Sequence, residues 1–353
     1  MLTSNSKILL SICFSVILLA GCSSGTAVTD QAQEAAQTVQ SVSRDIFAMD
    51  TYMTVTCYGE NAAEACDAAE AEIKRLDSRL STGDPESEIS RLNAAGSASL
   101  SSDSRIMLEK ALDVYQKTDG AFDITIYPVM QLWGFFTHDY SVPDEDQLAN
   151  VMQTVGTDRL SYESGNITLP EGGGIDLGGI AKGYTSDRLM KIFSEYDLVS
   201  GLISLGGNVQ LYSTKPDGSL WRVGIRDPHE NASANDVLGV LEASDCAVIT
   251  SGAYERYFED EDGNIYHHII DPSTGYPAES GLISSTIVSE SGMLADALST
   301  AVFVMGPEKA SEFWRDSSYD FDMILMTEDD EVYITEGLEN SFSTDYKLNI
   351  IRR

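Results

Sequence analysis

Apolar positions over residues 47–58 are rich in β-branched and aromatic side chains, and this pattern predicts a strand. Over 62–80 the pattern changes. Apolar or small residues return every third or fourth position, acidic residues come early, and Lys74, Arg75 and Arg79 come late, as a helix dipole favours. A second helix is expected over 102–117, closed by Asp119-Gly120, and a third over 180–195, led in by Ile175-Asp176-Leu177-Gly178-Gly179. The rest alternates short strands with turns: 201–205, 222–226, 237–243, 247–250, 265–270 and 282–288. A helix over 293–305 interrupts them, another follows Pro307, and 322–326 with 331–335 predict a hairpin around Glu328-Asp329-Asp330. Without a regular strand–helix–strand repeat, the order predicts an α+β fold and not a doubly wound sheet.

The N-terminus follows a different pattern. Lys7 precedes an apolar run over 8–21, about 14 residues long, too short to span a bilayer, which needs roughly 20. It has the length of a secretory signal core. The run ends in Leu19-Ala20-Gly21-Cys22, which resembles the lipobox of bacterial lipoproteins, with 1–21 removed and Cys22 acylated. An ordinary cleaved signal is the alternative. Residues 22–45, rich in Ser, Thr, Ala, Gln and Val, are expected to be a flexible tether. The remainder, 46–353, has no linker-like break and no internal repeat, which favours one large domain with two lobes.

Charge narrows the function. The chain carries 22 Lys+Arg against 56 Asp+Glu, a formal net charge of −34. Such a surface repels nucleic-acid phosphates, so no nucleic-acid partner is expected. It would also repel a dinucleotide pyrophosphate. Any nucleotide site must therefore carry its own positive potential, from a metal, a helix N-terminus or a placed lysine. Beyond Cys22, Cys57, Cys66 and Cys246 remain. A Cys57–Cys66 disulfide is conceivable in an exported protein, and zinc is not expected without a C-x-x-C pair or H-E-x-x-H.

Three segments could supply chemistry. In residues 172–183, glycines precede a helix whose unpaired N–H groups can face an anion, and Lys182 adds a full charge. The spelling matches neither a P-loop nor G-x-G-x-x-G, and a bare glycine-rich turn is the alternative. In the helix over 293–305, Asp296 and Thr300 are i,i+4 neighbours, so their oxygens share a face and form a hard ligand pair suited to Mg²⁺. The alternative is a solvated Asp296 and a Thr300 bonded to its own i−4 carbonyl. In His267-His268-Ile269-Ile270-Asp271-Pro272-Ser273-Thr274-Gly275, turn chemistry would present His268 at a strand end as a general base. A surface histidine beside a tight turn fits equally. No G-x-S-x-G elbow is present, so triad hydrolase chemistry is not supported.

Taken in order, these and further stretches resemble the ApbE family of FAD:protein FMN transferases. The matching stretches are Met49-Asp50-Thr51, residues 87–93, 120–125 with Trp133-Gly134-Phe135, 176–183, 205–208, 250–256, 268–275 and 295–300. The resemblance covers 47 to about 326. It departs at Asp50, where the family usually has glycine, and at Gly83, where an aromatic residue is frequent. It implies an α+β, T-fold-related, two-lobed single domain with a flavin cleft between lobes. Flavin contacts would fall on Met49, Ala121, Phe122, Asp123, Asp176, Lys182 and Ile270, and Mg²⁺ on the Gly179 carbonyl, Asp296 and Thr300. His268 would be the catalytic base, with Asp271 orienting it or closing the turn. The implied reaction moves FMN from FAD to a threonine hydroxyl of an acceptor flavoprotein and releases AMP. Acceptors would be subunits of membrane electron-transport complexes of the Rnf or sodium-translocating NADH:quinone reductase type. An FAD pyrophosphatase and a non-catalytic flavin-binding lipoprotein are the alternatives. The lipid anchor implies the extracytoplasmic face of the cell membrane.

Overall fold

The computed structural model describes residues 39–229 and 236–353. The expected signal, Cys22 and most of the tether lie outside the described residues. In chain order the first half comprises β1 (Ser41–Ala48), β2 (Thr51–Tyr58), α1 (Ala62–Leu80), α2 (Glu88–Ala95), β3 (Ser97–Ser99), α3 (Ser102–Lys117), α4 (Tyr127–Leu132), α5 (Glu145–Met152), β4 (Ser161–Glu163) and β5 (Asn166–Thr168). Then follow α6 (Gly178–Glu195), β6 (Ser200–Leu205), β7 (Asn208–Tyr212), β8 (Trp221–Arg226), β9 (Val237–Ala243), β10 (Ala247–Gly252), β11 (Tyr257–Glu259) and β12 (Ile265–His267). The chain closes with β13 (Leu282–Ser289), α7 (Gly292–Asp316), β14 (Asp322–Thr327), β15 (Glu331–Thr335), β16 (Phe342–Ser343) and β17 (Lys347–Ile351).

A nine-stranded sheet runs β1-β2-β6-β7-β10-β13-β14-β15-β17, antiparallel except for the final β15–β17 pair. Its strands alternate faces. Ile203, Ile249, Met323 and Leu325 pack toward the helices, while Leu202, Val248, Ile324 and Met326 pack beneath the small β16-β9-β8 sheet. The helical face carries α1, α6 and α7. A separate aromatic cluster of Trp133, Phe135, Leu148 and Ile270 sits outside these cores. The fold is α+β, as the pattern predicts.

Three expectations change. Residues 47–58 are not one strand but two, because Met49 (φ 48°) and Asp50 (φ 58°) form a two-residue reversal between Ala48 and Thr51. Both have positive φ, the requirement of a type I′ hairpin turn. The tether also gives way to structure before residue 45, since β1 starts at Ser41. Finally, Cys57 and Cys66 are free thiols, both buried between β2 and α1. Cys66 Sγ donates toward the Val42 and Val55 carbonyls at 3.4 and 3.8 Å.

Candidate active site

The site grows from a crossing of two helices. A Cβ placed on Gly183 of α6 would lie 2.1 Å from the Gly292 carbonyl oxygen and 2.6 Å from Asp296 Cβ, so only glycine lets α6 and α7 approach this closely. Asp187, one turn further along α6, caps the start of α7. Its Oδ1 accepts from Gly292 N at 2.6 Å, and its Oδ2 from Ser291 Oγ at 2.9 Å and Met293 N at 3.1 Å. A carboxylate at a helix N-terminus satisfies orphan donors and the dipole together. This clamp fixes Asp296, one turn into α7, against the beginning of α6.

Asp296 is buried, and its two oxygens accept from Gly183 N at 2.8 Å and Asn208 Nδ2 at 2.9 Å. In a regular helix that Gly183 N–H would serve the Gly179 carbonyl; here Asp296 competes for it. Thr300 lies one turn on, its Oγ1 3.8 Å from a Cβ built on Gly179 and 3.4 Å from Ser251 Oγ. Asp296 and Thr300 thus both lie against the first turns of α6, and carboxylate and hydroxyl oxygens are hard donors of the kind Mg²⁺ takes. Among the described residues no group of three or more His, Cys, Asp or Glu could hold a metal; the candidate set contains a single carboxylate. Burial pushes the Asp296 carboxyl up, opposed first by the Lys182 charge and then by its two hydrogen bonds. Glu255 is raised in the same way, held down by Lys182 and Arg256 and pushed up further by Asp296. The buried Asp296 carboxylate offers a divalent cation one full negative charge.

Of the predicted flavin residues, Phe122, Asp176 and Lys182 lie at the start of α6. The Phe122 ring packs 3.0 Å from a Cβ built on Gly179. Asp176 N donates to the Ile124 carbonyl at 2.8 Å, and Asn93 grips both backbone polar groups of Ile175 at 2.9 Å, so the segment entering α6 is rigidly held. Asp176 Oδ1 accepts from Gly178 N at 3.1 Å; burial raises its carboxyl, with the Gly178 amide and the Arg256 charge opposing. Met49, in the hairpin turn, packs against two of the hydrophobic cores, and its N donates to Asp77 Oδ1 at 2.9 Å. The Ile270 side chain is buried in the aromatic cluster, and its backbone forms an isolated antiparallel bridge with Pro277.

Asp123 is almost fully buried, and its Oδ1 accepts from Thr125 N at 2.8 Å and Thr125 Oγ1 at 2.6 Å. Burial nevertheless raises its carboxyl from 3.8 to about 6. A raised carboxyl costs stability as pH climbs, because the unfolded chain releases its proton first. The cost is absent below pH 3.8, grows up to about 6 and is complete above that. Asp123→Asn keeps an acceptor for Thr125 and removes the buried charge. It is expected to raise unfolding free energy at pH 7.5 by roughly 2–3 kcal/mol, a gain that vanishes by pH 4. Denaturant melts of both proteins across that range check it.

His268 follows β12. Its Nδ1 faces the Arg256 carbonyl at 3.2 Å. Donation there fixes the proton on Nδ1 and leaves the Nε2 lone pair available. Burial, then the charges of Arg256, His267 and Lys182, pull its value down to about 3, so the ring is neutral at physiological pH. Of the two roles expected for Asp271, its hydrogen bonds match closing the turn. Its Oδ1 accepts from Ser273 N at 2.8 Å, and its backbone bonds Thr274, Gly275 and Tyr276. It closes the turn, and no hydrogen bond joins it to His268. Sequence reading also missed Asp187 and assigned no role to Asn208 or Glu255. Each acts on a partner distant in sequence, so no local signal could have revealed it.

Comparison with known proteins agrees with this geometry. The family model described as "ApbE family" matches residues 49–325. The FAD:protein FMN transferase of Treponema pallidum (strain Nichols) is 35% identical over 301 residues, covering 79% of this chain and 82% of the relative. That of Vibrio cholerae serotype O1 is 31% identical over 264 residues, covering 73% and 78%. The crystal structure of the ApbE protein from Thermotoga maritima superposes with a TM-score of 0.78 at 30% identity, covering 84% of this chain and 98% of that one. The flavin transferase ApbE from Vibrio cholerae superposes with a TM-score of 0.72 at 26% identity, covering 88% and 97%. The chain belongs to the ApbE family.

Proposed function

We propose that this protein transfers FMN from FAD to a threonine hydroxyl of an acceptor flavoprotein and releases AMP, with Mg²⁺ held by Asp296, Thr300 and the Gly179 carbonyl. The observation that carries this reading is the buried Asp296 carboxylate, set against the first turns of α6 beside Thr300 and close to Lys182. In a chain with a net charge of −34, this is where a pyrophosphate can be tolerated. Lys182, in the first turns of α6, supplies the positive charge that meets its oxygens. A magnesium ion, when bound, neutralises charge on those oxygens and on the departing AMP.

The chain's own groups handle the proton and the geometry. The acceptor oxygen forms a bond to the FMN phosphorus as the P–O bond to AMP breaks, and the hydroxyl proton passes to His268 Nε2. A base with a value near 3 would be weak. A bound pyrophosphate would offset the Arg256 and Lys182 charges that add to burial in depressing the ring, and so shift it upward. Positioning and electrostatics carry most of the acceleration, as in other phosphoryl transfers. Acylation at Cys22 would hold the enzyme on the extracytoplasmic membrane face, beside acceptor subunits of electron-transport complexes. No helix among the described residues is long and apolar enough to cross a membrane.

The test is incubation with FAD, Mg²⁺ and an acceptor domain, read by intact-protein mass. A gain of one FMN phosphoester with equimolar AMP is expected. FMN and AMP without a mass gain would make the protein an FAD pyrophosphatase, and no AMP at all would make it a flavin-binding lipoprotein.

A further inference from the structure

The hairpin turn at Met49-Asp50 reaches across to the segment after β10. Arg256 Nη2 and Asp50 Oδ2 meet at 3.3 Å, without the alignment of a hydrogen bond, and both side chains are exposed, 43% and 61%. Asp50 sits at φ 58°, beside Met49 at φ 48°, conformations that cost an L-residue energy unless something holds them. The Met49 N–H is pinned to Asp77, so the turn presents Asp50 to Arg256 by construction.

Arg256 also faces inward. Its charge lowers the carboxyls of Asp176 and Glu255 and depresses His268, so it belongs to the same electrostatic neighbourhood as the proposed flavin and catalytic residues. It acts with Asp50 on Tyr140, the two in opposite senses. A guanidinium offers five donors in a planar fork suited to phosphate. Here a single poorly aligned carboxylate contact engages it, and exposed pairs of this kind are weak. A phosphate oxygen, doubly placed and charge-assisted, is the stronger partner.

We propose that Arg256 is a further phosphate-binding residue of this site and that Asp50 is an internal anion occupying it until a phosphorylated flavin arrives. The inference rests on the flavin-transferase reading. Asp50 therefore sets affinity for phosphorylated flavins as a competitor: its carboxylate swings out to solvent as the ligand phosphate takes its place.

Binding of FAD and of riboflavin, which lacks phosphate, separates the possibilities. Flavin fluorescence with Mg²⁺ present would be measured for wild type, Asp50→Asn, Arg256→Gln and the double variant. Asparagine tolerates the left-handed conformation, and glutamine keeps most of the arginine's bulk. Asp50→Asn is expected to tighten FAD about two- to fivefold, and Arg256→Gln to weaken it about tenfold or more. In the Arg256→Gln background the Asp50→Asn gain disappears, and riboflavin affinity stays within about twofold throughout. FAD affinity unchanged or weakened by Asp50→Asn, a gain that survives loss of Arg256, or equal changes for riboflavin would overturn the proposal. Wild type that binds no FAD would sink the functional reading itself, and this with it.

Discussion

Asp296→Asn is expected to lower FMN transfer by about 10³-fold or more at millimolar Mg²⁺, without unfolding the protein. The substitution removes the one carboxylate of the donor set and hence its only formal charge toward a cation. The hydrogen bonds survive. An asparagine oxygen accepts from Gly183 N as Asp296 Oδ2 does, and the amide pairs with Asn208 once that side chain turns over. Burial already raises the Asp296 carboxyl, so a neutral replacement costs the apo fold nothing and removes a desolvation penalty. The two roles therefore separate in one experiment. Mg²⁺ should raise the melting temperature of wild type through mass action and leave that of the variant unmoved. Loss of activity with the Mg²⁺-dependent stabilisation intact would place the metal elsewhere.

His268→Ala carries the second largest effect, a fall of about 10²- to 10⁴-fold in transfer with FAD and Mg²⁺ saturating. The imidazole is held at its Nδ1 side by the Arg256 carbonyl, which leaves Nε2 as the proton-accepting nitrogen. In the free protein it titrates near 3, so wild type should show no histidine limb in kcat/KM through the neutral range. If bound pyrophosphate offsets the Arg256 and Lys182 charges, an acid limb is expected in kcat that is absent from kcat/KM. The alanine variant loses that limb while FAD affinity changes only a few-fold. Undiminished transfer at saturation would remove His268 from the mechanism.

How much of this was legible in the chain depended on how local each signal was. Helices α1 and α3 match the expected 62–80 and 102–117 because their apolar residues keep a helical period to the last turn. The i,i+4 spacing puts Asp296 and Thr300 on one face, yet spacing alone does not separate a metal pair from a solvated helix face. The Met49-Asp50 turn was not legible. It lacks the Gly or Asn that usually announces a two-residue hairpin, so two strands read as one. Asp271 is a middle case. Its place in a turn-rich run next to a histidine left two roles open, and one carboxylate oxygen closes the turn. The deeper supports escaped for a simpler reason. Asp187 reaches the start of α7 across 105 residues and Asn208 reaches Asp296 across 88, and only the packed fold makes them neighbours.

The decisive measurement is the intact mass of an acceptor domain after incubation with FAD and enzyme stripped of divalent ions by exhaustive chelation, before and after Mg²⁺ is restored. Unmodified acceptor without the ion, and one FMN adduct per acceptor with matching AMP once it returns, is the predicted result. Equal modification by the stripped enzyme would contradict it, and Asp296, Thr300 and the Gly179 carbonyl would lose their assigned purpose.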